Sequence, residues 1–278
     1  MQLKSLFRVA TAAFVLCMCK PPEKKEVPQI TKGDTTINSE DSSNVAEKPI
    51  ADTLIKTVRF YEDTAKILTT GQFHGDEVWV GAGSEEWFAL FQTQPGFALK
   101  KTTIVTRRIK DDLLDMEGDT TGWSVSTENS QESLILIAGL TFLTERIVES
   151  IELPQREIYP GDSIDFTFNG GTYSIHANGI KAPAEYSPGE YEVSDYKLYL
   201  TARKGKENIS QLLVRHRGFD GAMVSIVFAG DIDDDGVPDL ILNTTNHYNV
   251  SQPTLFLSRP AKKGSVLKIM GAHRTVGC

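Results

Sequence analysis

Three features of the 278-residue sequence predict a mainly β fold, antiparallel and sandwich or barrel-like, with few short helices. Short runs of β-branched, aromatic and aliphatic residues recur from about residue 57 onward. Clusters of Gly, Pro, Asn and Asp separate them, and two of these clusters carry hairpin chemistry. Few segments sustain an apolar period near 3.6.

Taken in order, the first strands are expected at Glu77–Gly81, Thr102–Thr106 and Ser133–Ala138. Asp165–Phe168 and Thr172–His176 flank Asn169-Gly170, a dipeptide that supplies the positive φ angles of a tight hairpin. Tyr196–Thr201 and Gln211–Arg215 flank Lys204–Asn208 as a second hairpin. Val224–Phe228 and Leu240–Leu242 flank an acidic loop, and Thr254–Leu257 and Val266–Ile269 close the chain. Glu85–Phe91 is expected to form one or two helical turns. Thr144–Leu153 fits a helical period but carries β-branched residues, so both readings stay open. A boundary near Pro154–Asp162 divides the β-rich stretches 57–153 and 154–278, as separate halves or as two parts of one core.

The net charge of −8 argues against a nucleic-acid partner, because phosphate binding needs clustered Lys and Arg. At the N-terminus, Lys4 and Arg8 precede the apolar run Val9–Leu16, too short to span a bilayer and of the length of a secretory signal. Residues 19–56 are rich in Lys, Glu, Ser, Thr and Pro. They lack the apolar content that offsets ordering entropy, and they read as a flexible tether. The only cysteines are Cys17, Cys19 and Cys278, so an internal disulfide framework is not expected.

Leu16-Cys17-Met18-Cys19 resembles a bacterial lipobox. The resemblance implies a signal peptide over 1–18 and a lipid on Cys19 that anchors the chain to a membrane. Lipid on Cys17 is the alternative, with Phe14 in the Leu position, and it would leave Cys19 free to pair with Cys278. The implied location is the bacterial envelope, on the outer membrane, its periplasmic face or the cell surface.

The acidic loop reads Asp231-Ile-Asp233-Asp234-Asp235-Gly236-Val237-Pro238-Asp239. Asp stands at positions 1, 3, 5 and 9, with Gly at 6. Calcium takes six to eight oxygens at about 2.3–2.6 Å, and a tight loop supplies them as alternating carboxylates with Gly at the reversal. The predicted ligands are the carboxylates of Asp231, Asp233, Asp235 and Asp239 and the carbonyl of Val237, with Asp234 facing outward. Like charges about 4 Å apart repel by roughly 4 kcal/mol at an effective dielectric near 20, so four convergent carboxylates need a cation or a proton. Leu242 at position twelve, where an EF-hand has its bidentate Glu, excludes that motif.

Phe228–Leu242, with its strand–loop–strand pattern, resembles the calcium loop of FG-GAP and VCBS-type repeats of integrin-like propellers and bacterial exported proteins. The resemblance implies bound Ca2+. It covers about fifteen residues and occurs once, so a full propeller is not expected. The stretch Asn246–Leu257 resembles the ending of bacterial proteins that carry one such loop, which implies no activity.

Other candidates have plainer readings. Asp111–Asp119 lacks the loop spacing and reads as a solvated hairpin end. The histidines 74, 176, 216, 247 and 273 form no zinc motif. His176 is read as a strand residue, and His247-Tyr248-Asn249 as a loop-packing cluster. There is no Gly-x-Ser-x-Gly elbow, and Gly81-Ala-Gly83 lacks the third glycine of a phosphate loop. Trp79, Trp87 and Phe88 read as core, and no catalytic constellation emerges. The leading expectation is a lipid-anchored envelope protein with one structural calcium, serving as a binding module for a protein or glycan. A calcium-stabilised hydrolase using Glu85 or Glu86 beside Trp87 is one alternative. A calcium-dependent adhesin is the other.

Overall fold

Alternation of apolar side chains along the interior strands sets the architecture, because successive residues of a strand face opposite sides of its sheet. The computed structural model describes residues 65–277 other than Tyr186 and Lys206. The expected signal segment, the tether, the start of order near residue 57, Cys17, Cys19 and Cys278 lie outside these residues.

The first part of the chain runs β1 (Lys66–Leu68), β2 (Gly71–Phe73), one 3₁₀ turn (Ala82–Ser84), β3 (Trp87–Thr93), β4 (Gly96–Thr102), β5 (Ile104–Ile109), β6 (Gly122–Thr127), β7 (Ile135–Ala138) and β8 (Arg146–Val148). The second runs β9 (Ser163–Phe168), β10 (Gly171–Pro183), β11 (Tyr191–Lys204), β12 (Glu207–Gly218), β13 (Ser225–Gly230), β14 (Asp239–Asn243), β15 (Val250–Ser251), β16 (Pro253–Leu257), β17 (Lys268–Ala272) and β18 (Thr275–Val276). The fold is all-β with antiparallel sheets, in the orders β2-β6-β5, β1-β7-β3-β4-β8, β13-β14-β16-β17, β12-β11-β10-β9 and the small pair β15-β18. Among the described residues no sheet closes into a barrel, and there is no propeller.

The four larger sheets stack in that order. Trp87, Phe91 and Leu136 of the five-stranded sheet pack on Ile104, Trp123 and Val125 of the three-stranded one. The residues between them, Phe88, Leu90 and Ile137, point the other way and meet Phe228, Ile241 and Leu255. Beyond these, Leu240, Leu242 and Phe256 face Ile175, Tyr196 and Leu198 of the long hairpins. The middle of these three core layers therefore joins strands on both sides of residue 154. Each such side chain, fully buried, contributes roughly 1.5–3 kcal/mol.

This layering corrects the expected helix at Glu85–Phe91. Trp87–Phe91 are buried without a break because β3 has cores on both faces, and two-sided burial removes the polar positions that mark a strand. Around Thr144–Leu153 the chain is extended, with β8 at Arg146–Val148. Glu77–Gly81 is not a strand. Glu77 N–H donates to the His74 carbonyl and Ala82 N–H to that of Trp79, and Gly81 has φ 92°. These turn bonds override the β preference of Val78-Trp79-Val80. The last expected strand starts at Lys268, two residues later than Val266. Both hairpins form as expected, with Asn169 at φ 45° and Gly170 at φ 75°.

Candidate metal centre

β13 and β14 pair down to Gly230 and Asp239, and the acidic loop closes that end of the hairpin. Two glycines make the geometry possible. Gly236 has φ 79°, the left-handed turn at loop position six. A side chain at Gly230 would place its Cβ 2.3 Å from the Glu149 carbonyl oxygen, where segment 149–150 bridges onto the strand. Ile232 anchors the loop in the middle core layer.

The loop folds around its own carboxylates. Asp231 accepts from the backbone N–H groups of Asp234 (2.7 Å) and Asp235 (3.2 Å) on Oδ1, and of Gly236 (3.0 Å) on Oδ2. Asp239 Oδ2 accepts from Ile232 (2.7 Å) and Asp233 (3.1 Å), and its Oδ1 from Ser258 (2.8 Å). Asp233 Oδ2 accepts from the Arg259 N–H at 3.1 Å. Its Oδ1 is buried and has no hydrogen-bond partner.

Asp231, Asp233 and Asp239 are all buried, and one oxygen from each lies within 4.8 Å of the others. Among the described residues, no lysine or arginine forms an ion pair with Asp233 or Asp239. Burial, then the charges of Asp235 and Asp231, pushes the Asp233 carboxyl up to about 6. Burial and the Asp233 charge hold Asp239 well above the usual carboxylate range. Three convergent carboxylates and an unpartnered, desolvated oxygen fit a hard cation, which an all-oxygen donor set favours.

Asp235 is exposed and outside the triad, its Oδ1 accepting from Val237 N–H and Ser258 Oγ, both at 2.8 Å. Val237 is half-buried against the outer core. Asp234 faces outward as expected, and its carboxylate meets Arg146 Nη2 at 3.1 Å. An open cleft of about 600 Å³ beside the loop is lined by Tyr173, Asn208, Asp235, Val237, Ser258 and Lys262, among others.

Four participants carry no signal in the sequence. Arg146, on β8, places Nη1 3.7 Å from Asp231 Oδ1. Ser258 and Arg259 donate backbone N–H groups from beyond β16. Asn169, read only as a turn residue, donates Nδ2–H to the Gly236 carbonyl at 3.3 Å.

Trp87 is buried, and its indole N–H donates to the Ala82 carbonyl at 2.9 Å, so it offers no stacking face to a sugar. Glu85 pairs with Lys66. His247 stacks on Tyr248 and meets Asp220 at 3.1 Å, a loop-packing cluster. His176 stacks on Tyr199 across β10 and β11. Asp111–Asp119 does lie at a hairpin end, between β5 and β6, but Asp111 is buried and its carboxylate meets His74 Nδ1 at 2.6 Å. Compared with protein-family models, curated proteins and solved structures, the chain matches none of them.

Proposed function

We propose that the chain is an exported, lipid-anchored bacterial envelope protein with one structural calcium ion, serving as a binding module for a protein or glycan. Asp231, Asp233 and Asp239 would hold the ion, with Asp235 and the Val237 carbonyl completing the oxygen set. The ion would supply the positive charge that Asp233 and Asp239 lack and so fasten the β13–β14 corner. The buried, unpartnered Oδ1 of Asp233 is the observation that carries the metal reading. Calcium is favoured over magnesium because magnesium dehydrates reluctantly and rarely occupies an all-protein cage. The Leu16–Cys19 pattern behind a basic flank supports the anchor and the compartment. Calcium modules outside the cell bind at about 10⁻⁴–10⁻³ M, which suits that compartment.

The test is thermal denaturation of metal-stripped protein in chelator, magnesium and calcium. Calcium at about a hundred times its dissociation constant is expected to add about 2.7 kcal/mol of stability. Identical melting in all three would remove the metal reading. Mass spectrometry of the mature N-terminus is expected to find the lipid on Cys19. An unmodified N-terminus would remove the anchor.

A further inference from the structure

The turn between β5 and β6 raises a second feature, independent of the metal loop. Leu113, Leu114 and Met116 are 60%, 69% and 80% exposed, three large apolar side chains within four positions. Single exposed apolar residues are ordinary, but a cluster at one tip marks a contact surface. The backbone beneath them is held in place. Asp111 Oδ1 accepts from the N–H groups of Leu113 (3.1 Å) and Leu114 (3.3 Å). Asp115 Oδ2 accepts from Asp111 N–H (2.8 Å) and Thr121 N–H (2.7 Å), closing the base of the turn. Asp119 Oδ2 accepts from Met116 N–H at 3.3 Å. The other oxygen of Asp111 is bonded to His74, which ties the turn to the segment after β2. A tip fixed in this way presents its side chains at little ordering cost on binding.

The charge around the tip selects the partner. Asp112, Glu117 and Asp119 are exposed beside the apolar residues, and Asp76 is exposed on the adjoining segment; Lys110, also exposed, is the one cation between residues 110 and 121, so the tip is acidic on balance. An anionic lipid surface would repel this ring, and so would a second copy of the same tip. We infer that Leu113, Leu114 and Met116 form a docking knob for a protein surface with an apolar pocket rimmed by Lys and Arg. The apolar side chains supply affinity at the centre, and the acidic ring steers and orients the encounter.

The test uses the full chain and three short synthetic peptides: an amphipathic leucine–lysine helix, a lysine-only peptide and a leucine–glutamate helix. The leucine–lysine peptide is expected to bind about tenfold more tightly than either control. The triple variant Leu113→Ser, Leu114→Ser, Met116→Ser should lose about the same factor while keeping the wild-type melting temperature. The triple variant Asp112→Asn, Glu117→Gln, Asp119→Asn should weaken binding and flatten its salt dependence. Binding that survives the serine substitutions, or equal binding of the leucine–glutamate peptide, would overturn the inference. So would binding to phosphatidylcholine vesicles that the serine variant abolishes, or self-association of the wild type that it removes. Those two results would assign the knob to a membrane or to a second copy.

Discussion

The backbone N–H of Ser258 donates to Asp239 Oδ1 at 2.8 Å, across nineteen residues of chain. This bond ties the end of β16 to the last carboxylate of the acidic loop, and Arg259 N–H does the same for Asp233. The loop is thus held from outside its own hairpin. A local change there is felt by the four-stranded sheet and by both cores that it separates.

Asp233→Asn is expected to separate metal binding from folding. The amide oxygen can still accept from Arg259 N–H, while the buried charge disappears. Melting in chelator should therefore occur at a higher temperature than for the wild type, and the calcium-induced rise should be lost. Differential scanning calorimetry with and without calcium checks both. A variant that keeps the full calcium increment would take Asp233 out of the site.

Arg146→Met is expected to raise calcium affinity by about threefold to tenfold, because a fixed positive charge beside Asp231 opposes a second cation. Without metal the same variant should be less stable, since Asp231 and Asp234 lose their partner. Isothermal titration calorimetry with calcium, alongside urea unfolding in chelator, measures the two effects. Weaker binding would assign Arg146 a purely supporting role.

Gly230→Ala should destabilise by about 1–3 kcal/mol or more, because its Cβ meets the Glu149 carbonyl oxygen at 2.3 Å and Ser150 Cα at 2.9 Å. Gly236→Ala is expected to cost about 1–2 kcal/mol through its left-handed backbone alone. Chemical denaturation in saturating calcium ranks the pair. The order should reverse only if segment 149–150 can move away.

Burial lowers the pKa values of His216 and His273 from the ordinary 6.5. His216 Nε2 bonds the Thr244 carbonyl, and His273 bridges Thr69 Oγ1 and the Glu77 carbonyl. For a depressed pKa, the unfolded chain binds the proton first. Their contribution is complete above about 6.5 and is lost as pH falls toward the folded values, by up to about 1.4 kcal/mol per pH unit for each group. His74 runs the other way. Its hydrogen bond to Asp111 raises its pKa, so its contribution is present below 6.5 and is lost as pH rises through the folded value. Histidine ring-proton NMR should show His74 titrating above 6.5 and the other two below it. His216→Gln should flatten the acid limb of stability against pH.

The acidic loop was legible because its spacing is local. Asp231 through Asp239 lie within one hairpin connection, and Gly236 announces the reversal. The same holds for Asn169-Gly170, whose positive φ angles are a property of two residues. Trp87–Phe91 lacks a strand signal because a strand with cores on both faces has no polar alternation. Val78-Trp79-Val80 carries a strand signal, but its strong β preference yields to turn bonds and Gly81. The position of Arg146 had no local sign, since it reaches the loop from β8 in another sheet.

By its own pattern, the sequence determined that the chain is β-rich and antiparallel, and that one loop offers carboxylates at cation-binding intervals. Both follow from short-range periodicity and turn chemistry, which neighbouring residues set. Only the tertiary structure decided that Asp231, Asp233 and Asp239 are buried with one oxygen each within 4.8 Å of the others, while Asp235 stays exposed and bonded to Ser258 Oγ. It alone stacked four sheets across residue 154 and left Leu113, Leu114 and Met116 uncovered on a fixed turn. Those outcomes depend on burial and on partners far along the chain, and a carboxylate's environment is set by what packs around it rather than by its place in a motif.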